Sequence, residues 1–214
     1  PTSRMEIFGQ DALAAIGFQP FITLADDNAG YARGRIQSVA GEILIETEGF
    51  IAGTAPDSYA KLENGGNFSV KTLTIRGGSD LAEPFAMSHD GIEPGAVVVI
   101  DELVPGKLRL STEAYDKKVA GIVSGAGGIH PGISMIQEDM LEPGENVALS
   151  GRVYVDTNTT AGAIEPGDLL TTSAVPGEAM KAADHQRAQG AILGKAMTRL
   201  DEESGRVLVL VTLQ

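Results

Sequence analysis

Ser79, Asp80 and Glu83 are the residues whose types and spacing most readily suggest chemistry. They lie in the run Gly77-Gly78-Ser79-Asp80-Leu81-Ala82-Glu83-Pro84-Phe85, which puts a hydroxyl and two carboxylates near one peptide bond. Attack on a neighbouring carbonyl needs a nucleophile held in place and a proton donor for the leaving amine. The glycine pair lets the backbone take a strained geometry. A structural reading stands beside this one: Asp80-Leu81-Ala82-Glu83 fits a capping box at a short turn, with the glycines as a linker.

Other constellations offer less. His89, His130 and His185 are far apart and each adjoins turn residues, so they read as surface turn histidines. A Ser79/His89/Asp90 triad lacks the context of a nucleophile elbow. Asp26-Asp27-Asn28-Ala29-Gly30 and Asp156-Thr157-Asn158-Thr159-Thr160-Ala161-Gly162 cluster oxygen ligands. Neither has the spacing of a calcium loop, and both read as Asx turns. The glycines from Gly121 to Gly128 do not follow the dinucleotide-binding order, and no phosphate-binding loop ends in Gly-Lys-Ser/Thr. No cofactor and no metal is expected. With no Trp, only Tyr31, Tyr59, Tyr115 and Tyr154 could stack on a sugar.

The elements that would position these residues are short. The chain has 214 residues, with 27 Gly, 10 Pro and no Cys. Average usage would give about 15 Gly, and the excess between short apolar runs means turns and strands rather than long helices. The lack of Cys excludes disulfides, thiolate zinc sites and a cysteine nucleophile. A net charge of −13 opposes binding to phosphate backbones and to anionic membranes. The longest apolar stretches, such as Ala96 to Ile100 and Val207 to Leu213, fall far short of the ~20 residues of a membrane helix. No signal peptide is read from Pro1 onward, and a start at Pro1 rather than Met points to a processed product or a piece of a longer chain.

Residues 1–78 carry runs that alternate apolar and polar residues: Met5 to Phe8, Phe18 to Leu24, Arg35 to Val39, Glu42 to Glu46, Asn67 to Val70 and Thr72 to Ile75. Asn64-Gly65 is a hairpin signal, and Asp11 to Ile16 is the only helical hint. Apolar residues are thin here for a stand-alone domain, so these strands are expected to complete their core against copies of themselves.

From about Leu81 the strands become richer in Val and Leu. Pro94-Gly95, Pro143-Gly144 and Pro166-Gly167 each follow Ile/Leu-Glu and precede a strand, the pattern of a type II turn with Gly at positive φ. Ile92 to Gly125 also aligns with Ile164 to Gly194. Pro94-Gly95 matches Pro166-Gly167, Val104-Pro105-Gly106 matches Val175-Pro176-Gly177, and Val119 to Gly125 matches Ala188 to Gly194. This predicts two related β-modules in one domain, closed by a strand over Arg206 to Leu213.

Gly78-Ser79-Asp80-Leu81-Ala82-Glu83, Pro94-Gly95 and the later Gly121-Ile122-Val123-Ser124-Gly125 together resemble a family: the C-terminal intramolecular chaperone domain, of the self-cleaving peptidase-like type, of phage tailspikes and neck appendages. The resemblance covers roughly Gly78 to Gln214. Residues 1–78 are similar in composition to the β-region of trimeric tail fibres. The resemblance implies a homotrimer whose head guides the preceding fibre into register and, in some members, cuts itself free. Carried over to this sequence, Ser79 and Asp80 would flank the scissile bond and Glu83 would assist.

The expectation is therefore an all-β chain, with an intertwined trimeric β-stem over 1–78 followed by a β-rich head over 79–214. Its function would be structural, as the distal segment of a phage-like fibre in a virion or extracellular particle, joined to the rest of that fibre or tail assembly. A one-turnover autoprotease and a tip that binds a cell-surface glycan are the alternatives. Nucleic acid and membrane insertion are not expected.

Overall fold

A computed structural model describes residues 4–8, 21–25, 33–39, 42–47, 58–63, 65–136 and 142–212. The protein is mostly β, and its contacts divide it into two units, Pro1–Thr74 and Ile75–Gln214. The boundary falls a few residues before the expected 78/79, because Ile75 and Gly78 already belong to the second unit. A Cβ on Gly132 would lie 3.5 Å from Ile75 Cγ2, and one on Gly78 would lie 2.1 Å from the Gly132 nitrogen, so two glycine backbones meet there.

The first unit is a six-stranded antiparallel meander: β1 (Arg4–Phe8), β2 (Phe21–Ala25), β3 (Arg33–Val39), β4 (Glu42–Thr47), β5 (Ser58–Leu62) and β6 (Phe68–Val70). Period-two alternation puts apolar residues in register across it. Ile7, Ile22, Ile36, Ile45, Ala60 and Val70 stand opposite one another over all six strands. Beside them run Ser38, Ile43, Leu62 and Phe68. The next row of the alternation, Thr23, Arg35, Glu46 and Tyr59, is mostly polar. The hairpin at Asn64-Gly65 forms, with Gly66 at φ +83 and its N–H donating to Glu63 O, although Asn64 itself lies outside the described residues. Strand β5 has no strong β-formers beyond Tyr59, and it is held by pairing with Ile43 and Ile45. Thr72 to Ile75, expected as a strand, is irregular. Leu73 there is exposed and no neighbouring strand offers it a ladder. The helical hint at Asp11 to Ile16 lies outside the described residues.

The second unit contains β7 (Asp80–Phe85), β8 (Val97–Ile100), β9 (Leu108–Leu110), β10 (Val119–Val123), β11 (Pro131–Ser134), β12 (Glu145–Asn158), β13 (Leu169–Thr172), β14 (Ala179–Lys181), a helical turn α1 (His185–Ala188), β15 (Ile192–Ala196) and β16 (Ser204–Thr212). These strands form one sheet in the order β14-β13-β15-β16-β12-β10-β8-β9, with β7 against β12 and β11 against β7.

Its hydrogen bonds occur in matched sets. β8 pairs with β10 as Val97↔Ile122, Val98↔Gly121 and Val99↔Val119, skipping Ala120. β13 pairs with β15 as Leu169↔Lys195, Leu170↔Gly194 and Thr171↔Ile192, skipping Leu193. Each set is curled by one parallel contact, Met87↔Leu108 and Thr157↔Ala179. In these registers Gly121 follows the skipped Ala120 and Gly194 the skipped Leu193, whereas the sequence alignment set Gly121 against Gly190. Both glycines answer the same demand. A Cβ on Gly121 would lie 2.7 Å from Ala148 O, and one on Gly194 would lie 2.1 Å from Leu210 O. Gly190 instead follows α1 at φ +79.

Three buried clusters follow, the smallest joining Ala182, Ala188 and Ile192. One joins Ile92, Val98, Leu108, Val123 and Val147, with Phe85 and Met87 packed on it. Another joins Val153, Val155, Ile164, Leu170, Ala179, Ala196, Val207 and Val209 among others. The Pro-Gly turns behave as expected at Gly95 (φ +101) and Gly167 (φ +97). Gly144 does not have positive φ. It is glycine because a Cβ there would lie 1.8 Å from Phe85 O, where β7 crosses the start of β12.

Candidate functional site

The junction residues enter the second unit as strand rather than turn, so the capping-box reading fails. Ser79 immediately precedes β7. Its N–H donates to His130 O at 3.1 Å, and its carbonyl accepts from Arg152 N at 3.0 Å. The first partner lies just before β11 and the second in β12, so the backbone of Ser79 is held at both its N–H and its carbonyl.

Side chains along β7 alternate between faces. Asp80 and Ala82 are buried on one face, while Leu81, Glu83 and Phe85 share the other. Three residues apart on a strand, Asp80 and Glu83 therefore point opposite ways. Glu83 lines a cleft of about 470 Å³ with Phe85, Pro105, Lys107, Met135 and Glu142. The structure brings Ser79 and Asp80 together and does not bring Glu83 to them.

What gathers around Asp80 is different. Its side chain is only 6% exposed. It pairs with Pro131 in β11 and with Gly151 in β12. Gly151 has φ +109, and a Cβ there would lie 2.6 Å from Asp80 Cα, so only glycine admits so close a crossing. Neither carboxylate oxygen has a hydrogen-bond partner that meets full geometry, and the same holds for the buried Ser124 hydroxyl. Burial pushes the Asp80 carboxyl above its usual range. The Ser124 hydroxyl, the residue's own backbone amide and the charge of His130 oppose that shift without cancelling it. The sequence analysis did not bring Ser124 or His130 to Asp80, because they lie far along the chain. The signal available was a Ser and a His bracketing the glycine-rich stretch Gly125 to Gly128.

The other candidates disperse. His89 and Asp90 are exposed, and the bonds of Ser79 are to backbone, so no triad forms. The loop at Asp26 to Gly30 lies outside the described residues. In the other acidic loop, Asp156 pairs with Arg206 at 2.8 Å, and Asn158 donates to Ser173 and Glu178 while its Oδ1 accepts from Thr160 N, an Asx turn. Among the described residues no group of His, Asp and Glu could hold a metal ion, and no helix is long and apolar enough to cross a membrane. Tyr115 is engaged within the fold. Its hydroxyl accepts from Asp184 N at 3.0 Å, and Arg187 stacks 4.4 Å from its ring centre.

No family model matches the chain, and a search of curated proteins finds no match.

Proposed function

We propose that the protein is the distal, structural part of a homotrimeric phage-like fibre, working in a virion or other extracellular particle as part of a longer fibre or tail assembly. The first unit is its stem, and the second is a head of two related β-modules that drives trimerisation and templates the stem. One observation carries this reading: a six-stranded sheet holds an aliphatic row across its full width, yet Ile45 is 48% and Val70 37% exposed, with Phe68 beside them 57% exposed. Contiguous exposed apolar surface of this kind marks an interaction site, and three copies turning these faces inward would supply the missing core. The matched registers of β8/β10 and β13/β15 support the two-module head. Its denser core allows it to form first, which lowers the entropy cost of registering three extended chains. The test is the mass of the full chain in solution by light scattering. A trimer is expected, and a folded monomer at tens of micromolar refutes the reading.

A second reading, self-cleavage at Ser79-Asp80, is favoured by the buried, unpaired Asp80 carboxylate. A carboxyl whose hold on a proton is strengthened by burial is a better donor to a leaving amine. Incubating the intact chain and weighing it tests this. Two fragments divided at the junction, lost in Ser79→Ala, support it, while one uncut mass after prolonged incubation counts against it. With Glu83 on the other face, Glu83→Ala is expected to leave any cleavage intact.

A further inference from the structure

One contact inside the second unit has a vacant counterpart on its surface. The turn Val175-Pro176-Gly177-Glu178 joins β13 to β14, and its Gly177 inserts between Val97 and Ser111 at the mouth of the β8/β9 hairpin. Val97 N donates to Gly177 O at 2.8 Å, Gly177 N donates to Ser111 O at 2.8 Å, and Ser111 N donates to Val97 O at 3.0 Å. Gly177 is buried. A Cβ on it would lie 2.9 Å from Leu110 Cδ2 and 3.6 Å from Ala96 Cβ.

The β13/β14 hairpin has the same mouth. Ala182 N donates to Leu169 O at 2.8 Å, as Ser111 does to Val97. Among the described residues, however, the reciprocal bond from Leu169 N to Ala182 O is not made, and no backbone N–H donates to Ala182 O. Asp168 and Lys181, ion-paired with each other at 2.7 Å and partly exposed, flank this opening where Ala96 and Leu110 flank the other. The inserting element also has its counterpart. Val104-Pro105-Gly106-Lys107 joins β8 to β9 through the equivalent bond, Lys107 N to Val104 O, matching Glu178 N to Val175 O. This turn stands out from the surface, with Leu103 87% exposed and nothing within 4 Å of a Cβ placed on Gly106.

We infer that a second copy of this chain completes the set: the turn at Gly106 of one copy enters the Leu169/Ala182 opening of the next. Gly106 N donates to Ala182 O and Gly106 O accepts from Leu169 N–H, repeating between chains the contact that Gly177 makes within one. Because turn and opening are different surfaces, the contact is head-to-tail and closes a ring when three copies meet. The inference rests on the trimeric, two-module reading above and adds the interface that builds the head.

The chain has no cysteine, so the double variant Gly106→Cys/Asp168→Cys probes the contact in the full protein. The corresponding internal positions, 177 and 96, would hold their Cβ atoms 3.6 Å apart, inside the roughly 3.5–4.5 Å range of a disulfide. Mild oxidation is expected to give a reductant-sensitive covalent trimer, whereas each single variant stops at dimer. A protein that scatters as a trimer but yields no covalent trimer overturns this interface and leaves the trimeric reading standing. A protein that scatters as a monomer overturns both. A second measurement needs no substitution. Exchange of the Leu169 amide is expected to slow at least tenfold between dilute and assembled wild-type protein, and an unchanged rate in the assembled state overturns the inference.

Discussion

Replacing Asp80 by Asn tests the physical account of the junction most directly. The carboxylate is almost wholly covered, and neither oxygen has a full hydrogen bond. Leaving a buried acceptor unsatisfied costs about 1–3 kcal/mol, and more when it is charged. An amide carries no charge to desolvate, and its Nδ2 can donate to the Ser124 hydroxyl, which is itself unpaired. One amide group stays imperfectly bonded, so Asp80→Asn should stabilise the second unit by about 1–2 kcal/mol at pH 7, using the lower part of that range. For about 140 residues this raises the melting temperature by about 2–8 °C. The pH dependence sharpens the test. Burial raises the folded-state carboxyl above its unfolded value. The folded protein therefore holds a proton that the unfolded chain has released. Wild-type stability from this group is full below the unfolded value, near pH ~4, and is lost as pH rises through the folded value. The advantage of the Asn variant should thus shrink towards pH 4 and grow as pH rises through the folded value. Denaturant midpoints at fixed protein concentration, from pH 4 to 8, provide the measurement. A variant less stable than wild type at pH 7, or an advantage that does not change with pH, refutes the reasoning.

Other perturbations separate the remaining arguments. Gly144→Ala should cost about 3 kcal/mol or more, because the new Cβ meets the Phe85 carbonyl at 1.8 Å and the backbone must move. Gly91→Ala, at φ +79 in open space, should cost only about 1 kcal/mol in the same denaturant assay. Ile43→Thr/Ile45→Thr keeps β-branched residues on β4 and should leave its circular dichroism unchanged. It should weaken self-association at least tenfold by light scattering, since each residue has nearly half its surface free to be buried by a partner. Asp101 should behave opposite to Asp80. The Ser88 hydroxyl first, then the Leu103 and Val104 amides, hold its carboxyl below the usual range. Its contribution is present above the unfolded value and lost as pH falls through the lower folded value. Asp101→Asn should remove that part of the acid sensitivity, seen as a flatter profile of denaturant midpoint between pH 2 and 5.

What the sequence determined was local. Alternation over Arg35 to Val39 and Glu42 to Glu46, positive-φ glycine after Pro94 and Pro166, and the hairpin at Gly65-Gly66 follow from side-chain period and backbone sterics, which a short window of residues contains. The likeness of the Pro94 and Pro166 segments was legible for the same reason. Tertiary structure decided what depends on a distant neighbour. Gly121 and Gly194 must each admit a carbonyl from the next strand, a demand absent from the residues around them. Gly144 is set by β7 and not by its own dihedrals. Asp80 and Glu83 look like partners at a spacing of three, but a strand sends them to opposite faces. The groups that Asp80 meets, Ser124 and His130, arrive from the residue after β10 and the residue before β11. Register and close approach are properties of pairs of strands, and no single stretch of chain encodes them.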